Sequence, residues 1–258
     1  MIDTHAHLYA EEFASDRPEM IQRAIDAGIK AIILPNVDQT TIGPMLDLEK
    51  QFPGYCFPAI GLHPTSVDAG YKNELQIIES WLSKREFIAI GEIGIDLYWD
   101  KSFLEEQIIS FETQLNWSLK YDFPVIIHVR DSFDETLQVL EKFDGKGLRG
   151  IFHSFTGNID QAKKILGLGD FKLGINGIVT FKNSGLGDVV RAIDLENIVL
   201  ETDAPYLTPA PFRGKRNESS MIKLVAEKLA EIYGIEIIDV ISKTTQNAKK
   251  IFGNEHFD

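Results

Sequence analysis

Val125-Ile126-Ile127-His128 is a short β-branched run that stops on an imidazole, and residues 132–143 behind it carry helical spacing. That is one strand followed by one helix, and the chain repeats the alternation along its length. Strand candidates are Met1–His7, Ala31–Pro35, Cys56–Gly61, Phe87–Ile93, Pro124–Val129, Gly150–Phe155, Phe171–Asn176 and Ile198–Thr202. Helix candidates between them are Pro18–Ala27, Gly43–Gln51, Glu74–Ser83, Ser102–Tyr121, Ser132–Phe143, Ile159–Leu166 and a short one near Leu186–Ala192. Ser15 or Asp16 before Pro18 marks a helix start, as does Asp131-Ser132, and Gly28 suits a C-terminal cap.

Strict alternation implies a parallel sheet. About eight such units in 258 residues is the size of a (β/α)8 barrel. Met221–Tyr233, Ile235–Lys243 and Thr245–Phe252 add C-terminal helices. No Pro/Gly/Ser-rich linker interrupts the chain, so residues 1–258 read as a single-domain α/β TIM barrel. The alternative is an open doubly wound sheet, whose dinucleotide-binding versions carry Gly-x-Gly-x-x-Gly after the first strand. Here Gly167-Leu168-Gly169 and Gly185-Leu186-Gly187 come late and lack the third glycine.

An apolar fraction of 44% and a charged fraction of 25% are those of a soluble globular protein. No run approaches the roughly 18 apolar residues of a spanning helix. The N-terminus lacks the basic-then-apolar pattern of a signal peptide. The single cysteine, Cys56, excludes an internal disulfide and reads as a small buried residue. The expectation is a cytoplasmic protein with no membrane role and no obligate protein partner. A net charge of −13 argues against a broad basic surface for duplex nucleic acid. It leaves open a phosphate substrate at a locally cationic site.

In a parallel barrel, chemistry sits at the C-terminal strand ends, and the candidate metal ligands fall there. His5 and His7 close the first strand and share a face by strand parity. Glu92 closes the fourth strand, His128 the fifth and His153 the sixth, while Asp203 follows the eighth. Each alone reads as well as a hydrogen-bonded structural histidine or a helix cap. Six together on one rim point to metal. They are too many donors for one catalytic ion with an open position, and they suit two ions bridged by a carboxylate. The imidazole and carboxylate mixture favours Zn, Mn, Co, Ni or Fe and tolerates Mg.

Seven segments carry a family resemblance: Asp3-Thr4-His5-Ala6-His7, Gly61-Leu62-His63-Pro64, Gly91-Glu92-Ile93-Gly94-Ile95-Asp96, His128-Val129-Arg130, His153-Ser154-Phe155-Thr156-Gly157, Glu201-Thr202-Asp203-Ala204-Pro205-Tyr206 and Arg213-Gly214-Lys215-Arg216-Asn217-Glu218. In that order the chain resembles the TatD family of metal-dependent deoxyribonucleases, within the amidohydrolase-like barrels. One departure is Ser219, where the family usually has proline. The resemblance implies that His5, His7, Glu92 and Asp203 hold one ion, and that Glu92, His128 and His153 hold the other. It also implies that Asp203 orients or deprotonates the attacking water, on a DNA substrate presented as single strands or 3′ ends. Glu92 stands where related amidohydrolases often carry a modified lysine, which favours the nuclease branch. The alternative is an ester or amide hydrolase on the same ions, such as an aminoacyl-tRNA deacylase.

A second tier faces the substrate. His63, Arg130, Arg213 and Arg216 are phosphate-contact candidates, against the bland readings of loop stabilisation for His63, an ion pair with Asp131 or Asp134 for Arg130, and a solvated loop for residues 213–216. Asp96 and Glu201 are expected to orient ligand imidazoles. Tyr98, Trp99, Phe155, Tyr206 and Phe212 are either base-stacking residues or loop anchors.

Overall fold

A computed structural model describes residues 1–257. Strands and helices alternate as β1 (Ile2–Asp3), α1 (Arg17–Asp26), β2 (Ala31–Pro35), α2 (Gln39–Gln51), β3 (Cys56–Ala59), α3 (Tyr71–Leu82), β4 (Ile90–Asp96) and α4 (Leu104–Tyr121). They continue as β5 (Val125–Arg130), α5 (Phe133–Glu141), β6 (Arg149–Phe152), α6 (Ile159–Gly167), β7 (Asp170–Ile175), α7 (Leu186–Arg191), β8 (Ile198–Leu200), α8 (Ile222–Tyr233) and α9 (Ile237–Phe252).

All strand pairs are parallel, in the order β1-β2-β3 and β4-β5-β6-β7-β8. Main-chain hydrogen bonds stitch both seams. Gly91 N donates to Ile60 O at 2.9 Å, Thr4 N to Leu200 O at 3.0 Å and His7 N to Ala204 O at 2.7 Å. The result is the expected α/β barrel, wound in sequence order.

Two apolar layers follow from strand parity. Outward residues such as Ile32, Leu34, Val125 and Ile127 pack under the helices. Inward residues, including Ile33, Ala59, Ile126, Ile151 and Val199, form a separate cluster with Ala248, Ile251 and Phe252 of α9. The C-terminal helix therefore packs against the residues that fill the bore.

Several element boundaries differ from the sequence reading: the expected helices Ile235–Lys243 and Thr245–Phe252 are one continuous α9, and three other differences shape the barrel. The regular part of β1 is only Ile2–Asp3, because beyond it the chain is held by the Ala6–Ala204 bridge instead of a continuous ladder. Helix α2 starts at Gln39, not at Gly43-Pro44: Asp38 and Thr41 form a reciprocal capping box that begins the helix earlier and leaves Pro44 inside it. Strand β4 runs on to Asp96, with a register shift between Gly91 and Ile93. Gly28, at φ +82°, follows α1 as expected.

Candidate metal centre

The shift in β4 leaves Glu92 as the odd residue between two paired neighbours, a β-bulge of the kind that re-aims a side chain. Glu92 is buried, and its two oxygens address different imidazoles. Oε2 lies 3.1 Å from His5 Nε2 and 3.6 Å from His7 Nε2. Oε1 lies 2.8 Å from His128 Nδ1, 3.3 Å from His63 Nε2 and 3.8 Å from His153 Nε2. Asp203 Oδ1 stands 3.7 Å from the Nε2 atoms of His5, His7 and His153. Three donor groups result: His5 with Glu92 and His153, His5 with His7 and Asp203, and His63 with Glu92 and His128.

All six expected ligand residues meet at this mouth, and His63 joins them. The sequence reading placed His63 among the substrate contacts; the structure places its Nε2 against the same Glu92 oxygen as His128. His63 Nδ1 is meanwhile 2.6 Å from Thr65 Oγ1 and accepts from Thr65 N at 3.1 Å.

Backbone shape makes room for the cluster. A Cβ on Gly94 would lie 2.0 Å from the His128 carbonyl oxygen, so only glycine lets β4 pass β5 there. A Cβ on Gly174 would lie 2.2 Å from Glu201 Oε2, so glycine in β7 admits the Glu201 carboxylate. Asp203 adopts φ +58°, and its N–H donates to His5 O at 2.9 Å, tying the end of the eighth strand to the first.

Hydrogen bonding fixes which nitrogens face inward. The Tyr9 hydroxyl gives its one proton to Pro35 O at 2.6 Å, so it accepts from His7 Nδ1 at 2.9 Å. His7 Nε2 therefore turns a lone pair toward the centre, 3.1 Å from His5 Nε2. Asp96 Oδ2 takes His128 Nε2 at 2.9 Å, leaving His128 Nδ1 against Glu92. Glu201 Oε1 is 3.0 Å from His153 Nδ1, an ion-pair contact without hydrogen-bond geometry, and His153 Nε2 turns toward Glu92 and Asp203. His5 Nδ1 is buried without a hydrogen-bond partner. Imidazole lone pairs and carboxylate oxygens thus converge, acceptors facing acceptors, and protons or cations must reconcile them. Five imidazoles and two central carboxylates match the donor chemistry of divalent transition metals.

The electrostatics agree. Burial pushes His7 down to about 4 and His5 well below its ordinary value, so both are neutral. Burial also opposes charge on His153, but Glu201, Glu92 and Asp203 outweigh it and raise the ring to about 10. Burial raises Asp203 to about 7, with Glu92 and Glu201 adding to the shift against His153. Burial works against ionisation of Glu92 as well, yet the surrounding histidines, His63 foremost, hold it well below the usual carboxylate range.

The substrate candidates lie in different settings. Arg130 makes no ion pair with Asp131 or Asp134; its guanidinium carbon sits 3.7 Å from the Tyr98 ring centroid. Arg213 is exposed and lies 4.1 Å from the Phe181 centroid. Arg216 is gripped by both Asp16 oxygens at 2.7 and 2.8 Å, so a phosphate would compete with that carboxylate. Sequence reading missed Tyr9, although its spacing of two from His7 is the same parity signal that paired His5 with His7. It also missed Asn176, whose Nδ2 donates to Ser154 Oγ at 2.8 Å beside Glu201 and carries no motif of its own.

Residues 2–253 match the family of TatD-related DNases. The chain belongs to the TatD family. It is 36% identical over 253 residues to the uncharacterized metal-dependent hydrolase YabD of Bacillus subtilis, covering 98% of each chain. It is 29% identical to the 3′-5′ ssDNA/RNA exonuclease TatD of Pantoea vagans, over 98% of this chain and 99% of that one. The crystal structure of YjjV, a TatD homologue from Escherichia coli K12, superposes with a TM-score of 0.91 at 30% identity, covering 98% and 97% of the two chains. The chain is thus a TatD-family metal-dependent hydrolase with a TIM-barrel fold. Among the described residues, no helix is long and apolar enough to cross a membrane.

Proposed function

We propose that this chain is a two-metal phosphodiesterase that removes nucleotides from single-stranded DNA ends in the 3′-to-5′ direction, with Mg, Mn or Zn as the ions. The observation that carries the reading is Glu92, whose Oε2 faces the His5 and His7 side while Oε1 faces the His63, His128 and His153 side. A bridging carboxylate between two donor sets is what a pair of closely spaced ions needs. The family's DNase description and the relative named as a 3′-5′ ssDNA/RNA exonuclease support the substrate class.

In this reading His5, His7, Glu92 and Asp203 would hold one ion, and Glu92, His128 and His153 would hold the other. Bound divalent cations supply Lewis acidity to the phosphoryl oxygens and lower the pKa of an adjacent water. Glu92 fixes the spacing of the two donor sets. Asp96 and Glu201 hold the His128 and His153 rings with one nitrogen turned inward. The Asp203 carboxylate would take the water's proton as the water oxygen bonds to phosphorus and the P–O bond to the leaving sugar oxygen breaks. Beside bound cations that carboxylate would stay ionised and able to accept the proton, which it would then pass to the leaving sugar oxygen. Of the four expected phosphate contacts, Arg130 and Arg213 would meet the phosphate chain, whereas His63 stands with the Glu92 and His128 donors and Arg216 is held by Asp16. The whole chain acts as one unit, and the single buried thiol of Cys56 favours the cytoplasm.

The test is metal analysis together with nucleotide release from 3′-labelled single-stranded DNA, with and without chelator, for the wild type, Glu92→Gln and Asp203→Asn. The expected result is release that needs metal and fails in both variants. Cleavage that survives chelation sinks the two-metal reading, and amino-acid release from aminoacyl-tRNA in place of nucleotide release would move the activity to ester hydrolysis.

A further inference from the structure

Beside the mouth, the segment after β4 carries two openly displayed aromatic rings. Tyr98 is 53% exposed and Trp99 70% exposed. Trp99 stands edge-on to Tyr98, with ring centroids 4.9 Å apart at 88°. The Arg130 guanidinium carbon lies 3.7 Å from the Tyr98 centroid and 5.4 Å from that of Trp99. Large apolar surface left in water at such a point is costly unless something covers it.

The position of this platform is fixed by the metal centre itself. Asp96 Oδ2 holds His128, while its Oδ1 accepts the backbone N–H groups of Tyr98 at 2.9 Å and Trp99 at 3.4 Å. Arg130 follows His128 by two residues on β5, and its carbonyl accepts from Leu97 N at 2.9 Å. One carboxylate thus sets the geometry of a ligand imidazole and of the aromatic pair together.

We propose that Tyr98, Trp99 and Arg130 form a base-stacking platform that takes an unpaired nucleobase next to the phosphate at the metal centre; this rests on the phosphodiesterase reading above. A nucleobase matches the site on two counts. Its π-face stacks on the exposed indole, and the phosphate it carries meets the Arg130 cation, which among the described residues has no carboxylate partner. The acidic chain, at net charge −13, offers little backbone attraction elsewhere, so base stacking has to supply binding that phosphate contacts do not. Bases inside a duplex have both faces covered by stacked neighbours, and the platform therefore favours unstacked bases of single strands over duplex interiors.

The test compares binding of a short phosphorothioate oligothymidylate with that of an abasic oligomer of equal phosphate count to the metal-loaded protein, read by tryptophan fluorescence and by competition. The wild type is expected to bind the base-bearing strand about tenfold more tightly, with quenched emission. Trp99→Ala and Tyr98→Ala should bring that ratio close to one, and Trp99→Phe should retain it. Equal binding of the two oligomers by the wild type, or an undiminished ratio in both alanine variants, overturns the platform. Base preference without any phosphodiester cleavage would remove the enzymatic reading and leave the platform standing. Cleavage without base preference would remove the platform alone.

Discussion

The two ends of the barrel bore are built from the same strand faces and do opposite work. Ile126 and His128 stand two residues apart on one face of β5, Ile151 and His153 likewise at β6, and Val199 shares parity with Glu201 and Asp203 at β8. The lower member of each pair belongs to the dry cluster with α9. The upper member belongs to the buried histidine and carboxylate mouth. Burial is nearly complete in the floor and substantial in the mouth, where the His128 and Asp203 side chains stay 16% and 14% exposed; below it is favourable transfer of apolar surface, and above it is desolvation of polar groups that needs compensation. Stability should therefore reside in the floor and activity in the mouth.

The largest expected effect is at the mouth. Glu92→Gln should lower kcat/KM on single-stranded DNA by on the order of 10⁴-fold, or ~5.4 kcal/mol, measured per folded molecule, while the melting temperature without metal falls, because the histidines that hold Glu92 ionised lose their counter-charge. A variant that loses activity only in proportion to lost fold would break the division between the two ends.

The floor gives the converse result. Phe252→Ala in α9 takes a buried ring from the cluster that fills the bore. It should cost about 3–5 kcal/mol and lower the melting temperature by roughly 10 °C. Below that temperature, turnover per folded molecule should stay within about twofold of wild type, as measured by calorimetry and steady-state assays on one preparation.

The division also explains what could be read from sequence. The apolar runs ending on His128, His153 and Asp203 announce both strand and ligand, because period-2 parity places floor and mouth on one face with no long-range information needed. The fold class followed from the same runs. What stayed hidden was geometry that depends on other strands. Glu92 faces both donor sets through a register shift that no propensity signals. His63 reaches the cluster from an irregular segment after β3, where parity does not apply. The Arg213-to-Arg216 run looked like a single phosphate cluster, yet Arg216 is bound by Asp16 from the start of α1, some 200 positions away. The start of α2 was misplaced because Pro44 is a stronger local signal than the Asp38–Thr41 box that overrides it.

An intermediate effect belongs to the residues that hold the rings. Asp96→Asn removes the negative charge that fixes His128 Nε2. It should weaken metal affinity by roughly 10–100-fold with little change in fold. Calorimetric titration in buffers of different ionisation enthalpy gives the proton count as well. At pH 7 the metal-free mouth carries protons on His153, raised to about 10, and partly on Asp203, raised to about 7. Metal binding should therefore release protons. Uptake, or no change, would show that the groups at the mouth do not share the lone pairs inferred from their contacts.

The smallest expected effect lies outside both ends, at the outer tie between α1 and the segment before α8. Asp16 sits ahead of α1 yet makes no side-chain cap bond; it pairs with Arg216 and Arg23, and Arg23 also grips Glu218. Arg216 first, then Arg23, holds the Asp16 carboxyl far below its ordinary range. A carboxylate depressed in the folded state adds stability that is present above its unfolded pKa of about 4 and is lost as pH falls toward the folded value. Asp16 is about one-third exposed, so solvent screening limits the contribution to about 1 kcal/mol or less. Asp16→Asn should melt a few degrees below wild type at pH 7, with the gap closing as pH is lowered through 4 to 3. A gap that held constant across that range would assign the effect to the geometry of the loop, and a gap near 1 kcal/mol in either case leaves the tie far weaker than the floor.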